Sequence, residues 1–163
     1  MALQFAVLNG RRQDRAGFCC GVAPLDDYPQ RRTGQRHGDA IATIHVLIDD
    51  AQSSCILGYC TLSAAQLHLR DVQDRDRKRL PAYPALAMRV GRLAVSRTTL
   101  GQHLDGLLLG HAVNLALLLQ QTLGVRVLIV DAKNETTVAF YLAHGFGPTS
   151  KSALTLCLPL PEC

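Results

Sequence analysis

The sequence predicts an α/β fold of mixed type: a central sheet with antiparallel N-terminal strands and a C-terminal β-α-β-α-β core. Three observations predict it. Val90 to Phe146 reads strand, loop, long apolar helix, strand, short helix. Upstream, Ala40–Asp49 and Cys55–Leu62 are rich in strand-forming residues and flank a polar turn cluster, the pattern of an antiparallel hairpin. The composition, 48% hydrophobic and 18% charged over 163 residues, suits one well-cored domain spanning residues 1–163 rather than a disordered chain.

Each element has its own warrant. Phe5 to Leu8 is a candidate first strand. Ala16 to Pro29 mixes Gly, Pro and Asp around Val22 and Leu25, which fits a short helix ending before Pro29. Gln30 to Gly38 is polar and basic. Ile41, Thr43, Ile44, Val46 and Ile48 supply the chemistry of the first hairpin strand. Ser63 to Leu69 either extends the second hairpin strand or starts another. Asp71 to Leu80 is a charged connector with helical potential. Pro81-Ala82-Tyr83-Pro84 must be irregular, because each proline removes a donor and fixes φ.

The core follows. Val90 to Val95 is a strand, Arg97 to Gly101 a turn, and Gln102 to Leu123 a helix. In that helix Leu104, Leu107, Leu108, His111, Ala112, Leu115, Leu118 and Leu119 fall at helical spacing. Nearly every side is apolar, which predicts a helix mostly covered by sheet and neighbours. His111 reads as a satisfied or semi-exposed histidine rather than a catalyst. Gly124 closes the helix as a left-handed cap. Val125 to Val130 is a β-branched strand. Asn134 to His144 is a short amphipathic helix ending in Gly145-Phe146, and Ser152 to Leu158 is a last strand.

Composition narrows the function classes. The uninterrupted apolar runs, such as Leu115 to Leu119, are far below a membrane span. Met1-Ala2-Leu3-Gln4-Phe5 lacks the charged start and apolar region of a signal peptide, so a cytoplasmic protein without membrane contact is expected. The six cysteines show no Cys-x-x-Cys pair and no zinc spacing with histidine, so no metal site is expected. They read as small buried hydrophobes.

The net charge is +4. Arg11, Arg12, Arg15, Arg31, Arg32 and Arg36 crowd the N-terminal third, and Arg89, Arg92 and Arg97 bracket the first core strand. Such bias suits an anionic partner: a nucleotide cofactor, RNA or DNA.

Two adjacent parallel strands joined by a helix form a βαβ unit. The loop entering its helix is a natural anion seat, because free N–H groups and the helix dipole point there. Tyr141, on the element after the second strand, adds an aromatic hydroxyl. Taken alone, Phe140 and Tyr141 could equally be core aromatics.

The series Gly91-Arg92-Leu93-Ala94-Val95, Gly101-Gln102, Gly124 to Ala132 and Ala139-Phe140-Tyr141-Leu142-Ala143-His144-Gly145-Phe146 resembles the core of the GNAT acyltransferase superfamily. Its nearest branch by resemblance is the toxins of bacterial toxin–antitoxin pairs. Phe18-Cys19-Cys20-Gly21, Leu25-Asp26 and Leu57 to Ser63 agree with that branch, and the likeness covers most of Phe18 to Phe146.

The resemblance implies acetyl-CoA in a cleft where two parallel strands splay. Its pantetheine arm would pair with backbone around Leu93, Ala94 and Val95. Its pyrophosphate would lie on the turn formed by Gly101, Gln102, His103, Leu104, Asp105 and Gly106, with Arg97 nearby. Tyr141 would protonate the departing thiolate. The branch acetylates the free amine of aminoacyl-tRNA and pairs with a ribbon-helix-helix antitoxin; a homodimer is compatible with it. Direct attack by an amine on a thioester needs no covalent enzyme intermediate, so the lack of a Ser-His-Asp or Cys-His arrangement is no objection.

The chain departs from the family's phosphate loop, Gln/Arg-x-x-Gly-x-Gly/Ala. Counted from Leu93-Ala94-Val95, those positions fall on Leu100, His103 and Asp105. Glycines there admit close backbone approach, which His103 crowds. Asp105 sets a charge near a negative ligand, a repulsion on the order of 1 kcal/mol at ~4 Å in water and several-fold more near a surface. Two accounts stay open: weakened but retained cofactor binding, or a degenerate fold acting as an interaction module. An acetyltransferase for a small amine or a protein N-terminus is a further alternative.

Overall fold

The computed structural model describes residues 3–8, 18, 42–68, 72, 85–97, 103–150 and 152–161. The expected helix before Pro29, the charged connector, the Pro-rich link, and Gly101 and Gln102 of the turn lie outside the described residues. The elements are β1 (Leu3–Val7), β2 (Thr43–Asp49), β3 (Gln52–Leu67), β4 (Ala85–Val95), α1 (Leu104–Leu123), β5 (Val127–Asp131), α2 (Glu135–Ala143), β6 (Gly147–Pro148) and β7 (Thr155–Pro159). The seven strands hydrogen-bond in the order β1-β2-β3-β4-β5-β7-β6. This is the mixed sheet that the sequence predicts: β1, β2 and β3 pair antiparallel, β4 and β5 parallel, β5 and β7 antiparallel.

The chain groups into two compact units. The first comprises Met1–Leu62 and Arg92–His111; the second comprises Ser63–Gly91 and Ala112–Cys163. In the first, Ile44, Val46, Ile48, Ile56, Tyr59, Ala94 and Phe18 form a buried core. Phe18 meets Tyr59 edge-on at 5.2 Å. Alternation turns the other face of β2 and β3 toward α1. There the helix approaches so closely that a Cβ on Gly58 would stand 2.9 Å from the Ala94 carbonyl and 2.9 Å from Leu108 Cδ1. Only glycine fits that crossing.

In the second unit, Leu67, Val72, Ala85, Ala87, Val127, Ile129 and Cys157 make the core. β5 reads Val-Leu-Ile-Val because it is covered on both faces: Val127, Leu128, Ile129 and Val130 are all fully buried.

Several expectations shift. β3 runs unbroken to Leu67, so the second hairpin strand extends through Ser63–Leu67. β4 begins at Ala85, well before Val90. Ala85, Ala87 and Met88 have weak strand propensity, and their burial overrides it. The Gly-Pro strand β6 carries no strand signature at all and exists through its pairing with β7.

α1 corrects a prediction more firmly. Its buried residues, Leu104, Leu108, Leu109, Ala112 and Ala116, form one narrow stripe, while Leu107, Leu118 and Leu123 are 46%, 60% and 64% exposed. The helix is therefore not covered all round. By length and composition alone it could cross a bilayer, a property shared with core helices of globular proteins. Gly124 ends it as expected, at φ +78° with its N–H donated to Gln120 O. Of the cysteines, Cys60 and Cys157 are buried and Cys55 is exposed. Burial pushes the Cys60 thiol up to about 12.

Candidate active site

The parallel ladder between β4 and β5 joins Ala87–Val90 to Val127–Val130 and stops there. β4 itself continues through Val95. Along that continuation the Arg92 N–H donates to Thr61 Oγ1 at 2.9 Å and the Ser96 N–H to the Leu57 carbonyl at 2.7 Å. Residues of even number thus turn their backbone groups toward β3. Strand geometry then directs the N–H and C=O of Leu93 and Val95 to the opposite edge. Beyond Val90 that edge has no β5 ladder partner, so it can accept an added extended chain. Of the predicted trio, Leu93 and Val95 present such groups; Ala94 turns its own toward β3 and is buried.

At the mouth of α1, His103 adopts φ +57°, the left-handed region, immediately before the first helical residue. A glycine takes this conformation without strain, whereas an L side chain costs ~1–2 kcal/mol there. The sequence placed His103 at a glycine position of the phosphate loop, and the backbone has the shape that glycine would supply. Asp105 Oδ1 accepts the Gly106 N–H at 2.8 Å. The carboxylate thus occupies one of the amides that open the helix, which anions otherwise attract. Leu104 is buried and serves packing, while Arg97 and His103 are exposed.

Behind this turn, α1 is held by an aromatic stack. His111 lies flat on Phe5, centroids 4.1 Å apart and 7° from parallel, and its Nε2 is 3.2 Å from His45 Nδ1. Burial lowers the pKa of both rings; the His45 charge lowers that of His111 further. The expectation of a satisfied histidine holds.

Tyr141 belongs to the second unit, on α2. Asn134 starts that helix, its Oδ1 accepting the Thr137 N–H at 3.0 Å. The helix ends with the Phe146 N–H on Tyr141 O and the Gly145 N–H on Leu142 O, Gly145 being at φ +93°. These two hydrogen bonds at the C-terminus fix the last turn, from which Tyr141 points inward. Its ring packs edge-on against Phe140 and Phe146, and it is 1% exposed.

Sequence reasoning missed one polar cluster. Arg89 Nη1 contacts Asp131 Oδ1 at 3.0 Å and Oδ2 at 2.8 Å, and Thr155 Oγ1 donates to Asp131 Oδ1 at 3.2 Å. The available signal was an arginine within one largely apolar strand and an aspartate closing another. Among the described residues no group of three or more His, Cys, Asp or Glu could hold a metal ion.

No family model matches the chain. It is 27% identical over 149 residues to a tRNA-acetylating toxin of Mycobacterium tuberculosis, covering 91% of this chain and 87% of the relative. The fold matches that of the toxin AtaT complexed with acetyl-methionyl-tRNA at a TM-score of 0.85 and 26% identity, covering 96% of this chain and 94% of AtaT. It also matches AtaTR bound with acetyl-CoA at a TM-score of 0.80 and 25% identity, over 97% and 94% of the two chains. The chain therefore has the fold of the GNAT-type toxins, as its motif series implied.

Proposed function

We propose that this chain, built on the fold of the GNAT-type toxins, is an acetyl-CoA-dependent N-acetyltransferase that acetylates aminoacyl-tRNA. The observation that carries the reading is the unladdered edge of β4 at Leu93 and Val95, followed by the left-handed entry to α1 at His103. The similarity to a tRNA-acetylating toxin over most of both chains supports the same reaction.

The residues fit an acetyl-CoA cosubstrate with one departure. Leu93 and Val95 offer the backbone groups for the pantetheine amides. The His103-to-Gly106 turn, with Gly101, Gln102 and Arg97, would take the diphosphate, and Asp105 opposes it. When bound, acetyl-CoA supplies an activated acyl group. The neutral amine attacks the carbonyl carbon, a C–N bond forms and the C–S bond breaks. Tyr141 would donate its phenolic proton to the thiolate, the proton lost by the amine would pass to solvent, and solvent would return a proton to the Tyr141 phenolate. Phe140 and Phe146 pack edge-on against the ring and hold its orientation.

A cytoplasmic location follows from this substrate, and an antitoxin of ribbon-helix-helix type is the expected partner. The test is incubation with labelled acetyl-CoA and charged tRNA. Label on the aminoacyl amine is expected. Absence of transfer beside a working control enzyme rejects the proposal, and efficient acetylation of small amines alone redirects it.

A further inference from the structure

We infer that Arg89, Asp131 and Thr155 are positioning residues that fix where β4 and β5 part company. The inference rests on the proposed function, because its consequence is read in cofactor binding. Register places these three side chains in adjoining positions on neighbouring strands: Arg89 pairs with Ile129, and Asp131 pairs with Thr155. On the same face, the preceding residues Ala87, Val127, Ile129 and Cys157 are buried and apolar. The apolar face of the three strands thus turns polar around the end of the ladder: Arg89 lies one residue before its last pair, Val90 with Val130, Asp131 one residue past it, and Thr155 opposite Asp131.

The cluster is poorly suited to adding stability. Its ion pair is about a third exposed, at 31% and 32%, and such pairs contribute little. It is well suited to setting a position. One guanidinium nitrogen reaches both carboxylate oxygens, and the Thr155 hydroxyl donates to Oδ1 as well. Ladder ends fray or zip onward unless something stops them. Zipping would engage the groups of Leu93 and Val95 with β5. Fraying would release the backbone of Arg89 and Val90. Either change alters the edge on which the pantetheine arm would lie, four residues further along the same strand from Arg89.

The experiment compares the full chain with Asp131→Asn, Arg89→Gln, their double variant and Arg89→Lys. In steady-state assays with acetyl-CoA and charged tRNA, each of the first two raises KM for acetyl-CoA about tenfold and leaves kcat within about twofold. The double variant is no worse than the poorer single, because both act through one contact. Arg89→Lys, which keeps the charge, recovers at least half of the lost affinity.

Thr155→Val removes a single hydrogen bond and serves if the charge variants fail to fold; it raises KM about threefold. A merely structural role would lower thermal stability and leave KM of the folded enzyme unchanged. An unchanged KM in an active background overturns the inference alone. A wild-type chain that neither binds CoA nor transfers acetyl overturns the proposed function and this inference with it.

Discussion

At the scale of single residues, the turn entering α1 and Tyr141 bear most directly on the proposed reaction. His103 stands in the left-handed region, and Asp105 spends its carboxylate on the Gly106 amide. The two side chains therefore explain each other's departure from the family loop. One accepts backbone strain where glycine would not, and the other supplies internally the negative charge that a diphosphate would bring. Replacing both by glycine removes the strain and the competitor. CoA should then bind several-fold tighter, on the order of 1 kcal/mol, while α1 loses the stabilisation of its acidic first turn. Calorimetry with CoA and with acetyl-pantetheine checks this, since only the ligand with a diphosphate should gain. Tyr141→Phe removes a donor and keeps the packing against Phe140 and Phe146. Turnover should fall about a hundredfold with CoA affinity nearly intact, measured by single-turnover transfer and calorimetry. Unchanged turnover would assign the proton to water or another group.

At the scale of elements, β1, β2 and α1 meet through Phe5, His45 and His111. Both rings titrate below the ordinary histidine value of 6.5 in the folded chain. The unfolded chain then binds more protons as the pH falls through that value. Folding stability is complete above about pH 6.5 and is lost progressively toward the lower folded pKa values. Melting temperatures measured between pH 8 and pH 5 should decline, and more steeply than in a His45→Gln, His111→Asn double variant. Equal slopes would place the acid sensitivity elsewhere. The same elements show why α1 is not covered on every side. Its leucines allow burial on every side, but a helix resting on one sheet face buries one stripe, at Leu104, Leu108, Leu109, Ala112 and Ala116.

At the scale of the molecule, charge and substrate are linked. If the proposed reaction holds, a chain of net charge +4 meets the phosphates of charged tRNA and must neutralise some of them. KM for tRNA should therefore rise steeply with salt, with a log–log slope of about 0.7 for each single-strand phosphate contact. Reaction with a small amine should stay nearly flat over the same range. A flat response with tRNA would argue that the polynucleotide is not the substrate.

The chain's local chemistry determined the order and kind of its elements: the β2–β3 hairpin, the helix closed by Gly124, the helix carrying Tyr141, and a resemblance carried by short motifs in series. These were legible because periodicity, caps and turn residues act over a few positions. Packing decided the rest. The start of β4 in low-propensity Ala85 and Ala87, the existence of β6, the left-handed backbone of His103 and the meeting of Arg89, Asp131 and Thr155 all depend on which strands become neighbours. Long-range pairing aligns residues distant in sequence, and no local pattern encodes where a ladder between two strands must stop.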